Sequence, residues 1–161
     1  VYKRQISIWD PTTRAALTAD AILGDSLHFA DGRPAFPPTY RSPGPYLRSI
    51  ERVEALEPEW LLTAHEPPLR AAEARAFLQR SRGFVTVLDG LVRAQLEAHP
   101  AGRTTQQLIT TLAPQVGPWE EGVWMFLANE LVGHLEELVG AGLVEAVPGP
   151  AVTWRLTGGA E

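Results

Sequence analysis

The chain has 161 residues, of which 45% are hydrophobic and 20% charged, with no cysteine, one lysine (Lys3) and a formal net charge of −5. That mix belongs to an ordinary globular protein. Without cysteine, disulfides and thiolate metal sites are excluded, so any metal must be held by His, Asp or Glu. No apolar run approaches the ~20 residues that span a bilayer, and no apolar signal core follows Val1–Gln5, so no membrane role and a cytoplasmic location are the expectation. The acidic balance argues against a sequence-independent grip on nucleic acid, which depends on Lys and Arg displacing phosphate counterions.

Ile6-Ser7-Ile8-Trp9-Asp10 alternates apolar and polar residues, Pro11-Thr12-Thr13 turns the chain, and Ala15–Ala19 returns, which predicts a β-hairpin. Glycine, proline and polar residues then crowd together from Gly24 to Pro45, a loop of a length more often functional than idle. Tyr46, Leu47, Ile50, Val53 and Leu56 recur at helical spacing until Pro58. Trp60–Ala64 reads as a buried strand, broken by His65-Glu66-Pro67-Pro68, and Leu69 to about Arg82 as a second helix.

At Gly83 the pattern changes. Phe84–Ala98 reads as one amphipathic helix, Thr104–Leu112 as a second capped by Thr104 or Thr105, and Val123–Val139 as a third. Leu143–Val147, the turn Pro148-Gly149-Pro150 and Ala151–Leu156 close the chain as a hairpin. Three helices and a hairpin suggest a winged helix, so two domains are expected, 1–82 and 83–161.

Two residues carry the chemistry. Asp20 follows the strand ending Leu17-Thr18-Ala19, and His65 follows Trp60–Ala64, so each stands at a strand end that opens onto a loop. A strand, a small residue and Asp, then a helix and a strand ending in a lone His, resembles the latter half of the metallo-β-lactamase fold over residues 6 to about 80. The tail resembles the winged helix behind the hydrolase domain in the glyoxalase II-related branch.

The resemblance implies an α/β fold, the C-terminal half of an αββα sandwich followed by the small winged-helix domain. It implies Asp20 as the bridge between two divalent metal ions, zinc before iron or manganese, and His65 as a terminal ligand to the second. The reaction implied is hydrolysis of a small ester, thioester or lactone, or of RNA as in some relatives, by a metal-activated water. The family's His-x-His-x-Asp-His run is absent from the 161 residues. The resemblance therefore implies truncation at the N-terminus, Val1–Gln5 being similar to a translated cloning adapter, and an inactive fragment.

Weaker candidates have plainer readings. His28, beside Leu27 and Phe29, is read as packing, Glu66 as a helix cap before a partner of His65, and Asp25 and Asp31 as turn formers. Trp119, Trp124, Phe126, Leu127 and Leu131 are read as core; His99 and His134 are assigned no role. The rival function is a winged-helix regulatory or nucleic-acid-binding protein on a non-catalytic scaffold, opposed by the acidic segment Val123–Val139, which has no Lys or Arg. The strands near Ile8, Leu17 and Leu61 should leave an uncovered apolar face, making a homo-oligomer the expected self-association.

Overall fold

The computed structural model describes residues 6–158, so Val1–Gln5 and their reading as an adapter lie outside the described residues. The opening hairpin forms where the alternation places it. Strands β1 (Ile8–Asp10) and β2 (Ala15–Ala19) pair antiparallel, Ile8 opposite Leu17 and Asp10 opposite Ala15. Asp10 closes the turn by accepting hydrogen bonds from the Thr12 amide and the Thr13 hydroxyl.

Strand β5 (Trp60–Thr63) runs parallel to β2, and β6 (Leu69–Arg70) returns antiparallel to β5, giving a sheet in the order β1-β2-β5-β6. Parallel neighbours need a long crossover, and residues 20–59 supply it. That stretch is less of a loop than its composition suggests: it holds the short hairpin β3 (Leu27–His28) and β4 (Pro34–Phe36) and then helix α1 (Pro43–Ala55). Prolines near the first turn of α1 fit there because the first helical amides have no intrahelical partner. Tyr46, Ile50 and Val53 form its buried face.

Helix α2 (Ala71–Glu97) departs from expectation both at its start and at the expected domain boundary. Leu69 and Arg70 join the sheet instead of opening the helix, and the Arg70 amide donates to the Glu73 carboxylate at the helix start. Gly83 then lies inside one continuous helix of 27 residues, where two helices were expected. The physical reason is phase: Ala74, Leu78, Ser81, Val85, Leu88, Val92 and Leu96 are buried at steps of three and four that run unbroken past Gly83.

The remaining elements are β7 (Arg103–Thr104), α3 (Thr105–Val116), a 3-10 helix (Glu121–Leu127), α4 (Ala128–Gly140), β8 (Val144–Val147) and β9 (Thr153–Leu156). Thr104 is the cap of α3 and exchanges hydrogen bonds with Gln107. Thr105 instead accepts from the Trp154 indole at 3.0 Å. The single helix expected over Val123–Val139 is divided between the 3-10 turn and α4. There the Trp124 indole reaches back to the Trp119 carbonyl at 3.1 Å.

One cluster of buried side chains extends from Ala16 through α1 and α2 to Trp154. Trp119, Leu127 and Leu131 belong to it and Trp124 packs on its rim, but Phe126 is 44% exposed and corrects its assignment to the core. Contact between α4 and the chain leading into α1 is intimate, since a Cβ on Gly133 would stand 1.8 Å from the Arg41 carbonyl oxygen. Within α4, His134 is buried between Tyr40 (2.9 Å to the hydroxyl) and Asp89 (3.2 Å), which replaces its unassigned status with a structural one.

Candidate functional site

Asp20 and His65 are brought together by the parallel pairing of β2 and β5. The Ala64 amide donates to the Ala19 carbonyl at 3.3 Å, tying the two strand exits side by side. His65 Nε2 then stands 3.1 Å from Asp20 Oδ1, with both side chains about half exposed. Ala19 has φ +45°, in the left-handed region that L side chains avoid, and the β2–β5 register shifts between Leu17 and Ala19. This backbone turn carries the chain from the strand into Asp20. It costs roughly 1–2 kcal/mol for a residue with a Cβ, which is why glycine suits the position before such an Asp.

Glu66 takes neither of the roles considered for it. After β5 its amide donates to the Thr63 hydroxyl, and its carboxylate lies 3.1 Å from His28 Nδ1. Glu73 caps α2. The pairing with Glu66 draws the β3–β4 hairpin against the loop that carries His65, so His28, Phe29, His65 and Glu66 share a cavity of about 460 Å³. A larger groove of about 950 Å³ along β1, β2 and α1 has Asp20, Thr18, Arg41 and Arg52 among its lining residues. Asp31 is held below the usual carboxylate range by the Arg33 amide and guanidinium, as a turn former should be. Asp25 forms an ion pair with Arg80 at 3.4 Å.

His28 and Glu66 were not singled out as a pair because 38 residues separate them; no sequence spacing signals the contact.

As a metal site the arrangement is partial. One carboxylate and one imidazole suit zinc or iron, but protein zinc sites use three or four ligands. No cluster of three or more His, Cys, Asp or Glu side chains with metal-binding geometry occurs among the described residues. The donors present do not make a metal centre by themselves.

No protein-family model and no curated protein matches this chain. Solved structures do. The chain is similar to a metallo-beta-lactamase family protein from Thermus thermophilus, with a TM-score of 0.61 and 20% identity over 93% of this chain and 44% of that one. It is also similar to a beta-lactamase domain protein from Burkholderia ambifaria, with a TM-score of 0.70 and 16% identity over 94% of this chain and 44% of that one. The mixed α/β architecture is thus that of metallo-β-lactamase-type structures. The chain spans less than half the length of either neighbour. No helix among the described residues is long and apolar enough to cross a membrane.

Proposed function

We propose that the chain is part of a metal-dependent hydrolase of the metallo-β-lactamase type, in which Asp20 bridges two divalent ions and His65 is a terminal ligand, with the other ligands supplied from outside these 161 residues. The observation that carries this reading is the 3.1 Å approach of Asp20 and His65 at the ends of two adjacent parallel strands. Coverage of 44% of each structural neighbour supports the division of the ligand set. The proposed ions are zinc, or iron or manganese, and the proposed substrate is a small ester, thioester or lactone.

In the same reading, the region from residue 83, within α2, to the end of the chain is a winged helix. Its order of helix, strand, helix, helix and hairpin supports the assignment. The acidic residues of α4 argue against the rival role in reading nucleic acid. Glu136 binds Arg41 and Glu137 accepts from the Gly44 amide at the start of α1, so this face packs on its own chain.

Zinc titration of the purified chain, followed by the ring signals of its four histidines, tests the proposal. With only two donors the chain should hold zinc weakly, so the response should need a large excess of the ion; it should appear first at His65, and Asp20→Asn or His65→Gln should abolish it, whereas a first response at His99 rejects the assignment. The chain alone should show no zinc-dependent turnover of a nitrophenyl ester, and saturable turnover would overturn the proposal that ligands lie elsewhere.

A further inference from the structure

The β3–β4 hairpin presents an aromatic surface beside His65 that the fold does not use. Phe29 is 49% exposed, Phe126 44% and Met125 68%, although these side chains are normally withdrawn from water. The two phenylalanines are not scattered: Phe29 and Phe36 have ring centroids 6.4 Å apart, and Phe36 meets Phe126 edge-on at 5.3 Å. A contiguous exposed patch of this kind marks a binding site more often than an isolated exposed residue does. Phe29 also lines the cavity that contains His65 and His28, so the surface is continuous with the candidate site.

The hairpin tip is fixed. The Phe29 amide donates to the Arg33 carbonyl and the Gly32 amide to the Phe29 carbonyl, with Gly32 at φ +84°, where only glycine is free of strain. His28 is fixed as well, its Nδ1 bound to Glu66. Its Nε2 carries no hydrogen bond among the described residues and is left for a polar atom of a ligand.

From this juxtaposition we propose that the surface of Phe29, Phe36 and Phe126 binds the apolar acyl arm of an ester-type substrate, with His28 hydrogen-bonding to its carbonyl end. The inference rests on the reading of Asp20 and His65 as hydrolase ligands and adds to it an apolar arm on the substrate and the residues that receive it. Charge selects an acyl arm over stacked nucleobases. Arg33, the cation packed 5.5 Å from the Phe29 ring centre, is ion-paired with Asp31 at 2.8 Å, and a chain of net charge −5 offers phosphates little. The cavity volume of about 460 Å³ lies within the usual range for small-molecule sites.

Hexanamide is a neutral, non-hydrolysable stand-in for such an ester. Titrated into the purified chain and followed by amide NMR shifts, it should shift Phe29, Phe36, Phe126 and His28 in a saturable manner. It should bind roughly tenfold or more tighter than acetamide, because each buried methylene strengthens binding severalfold. The exposed-site variants Phe29→Ala and Phe126→Ala should each weaken binding by about tenfold, while retaining the dispersed spectrum of the parent.

Equal binding of acetamide and hexanamide overturns the proposal, as does binding unchanged by Phe29→Ala. Stronger, salt-sensitive binding of a single-stranded RNA hexamer at the same residues would mean that the surface stacks bases instead. None of these readouts involves metal. The zinc response of His65 is read separately, so a failure of the hydrolase reading is distinguishable from a failure of this surface to bind an apolar arm.

Discussion

Glu130 is fully buried on α4, and neither of its carboxyl oxygens finds a hydrogen-bond partner. Burial pushes its pKa up to about 8 from a usual value of 4.5. Below pH 4.5 the group is protonated in both the folded and unfolded chain. Between 4.5 and about 8 the unfolded chain loses the proton that the folded chain keeps, so its contribution to stability falls as pH rises and levels off above that range. His134 acts in the opposite sense: burial, opposed by Asp89, lowers its pKa from 6.5, so stability falls as pH drops below that value. Glu130→Gln should therefore raise the melting temperature at pH 8 more than at pH 5, and an identical increment at both would contradict the buried-acid account. Asp20 and His65 were legible as a pair because each ends a strand whose pattern is plain. The His28–Glu66 contact was not, because it depends on how a loop hairpin folds back over another loop. The sequence also displayed Ala19 without its cost, since only the backbone reveals a left-handed turn there.

At the scale of elements, hydrophobic phase proved more informative than residue punctuation. Gly83 marked a break to the eye, yet the buried positions of α2 keep their spacing through it, and packing outweighs the propensity penalty of about 1 kcal/mol. A Cβ added at Gly83 meets nothing within 4 Å, so Gly83→Ala should stabilise the protein by about 0.5–1 kcal/mol in denaturant unfolding. Loss of stability would show that the helix needs to bend there. The strand β5, helix α1 and the Thr104 cap were readable because local chemistry and tertiary packing agree at each. Leu69 and the segment after Gly122 were not. Leu69 is claimed by pairing with Leu61, and the Trp119–Trp124 contact accompanies 3-10 winding where an α-helix was expected.

At the scale of the molecule, the described residues cover one face of the main sheet and leave apolar side chains exposed on the other. Ala16 and Leu61 are buried on the covered side, whereas Ile8 is 58% and Leu17 40% exposed on the other. Leu17 stands between Ile8 and Leu62 in the strand register, so the three make an apolar row across the sheet. On β5 it is Leu62 that joins this row while Leu61 points into the core, because neighbouring side chains of a strand face opposite sides. Sedimentation of the isolated chain should show association that grows with concentration, and Ile8→Lys with Leu17→Thr should suppress it; a monomer at all concentrations would refute the idea that this face seeks cover.

The pairing of β2 with β5 also bears on how the chain reaches this state. Thr18 and Leu62, which touch across that pair, are 44 positions apart, so the ladder cannot close until a long stretch has been drawn in, at an entropic cost that neighbouring helical turns do not face. The order of assembly should accordingly run from the helical end toward the sheet, leaving the strand exits at residues 19 and 64 among the last places to become ordered.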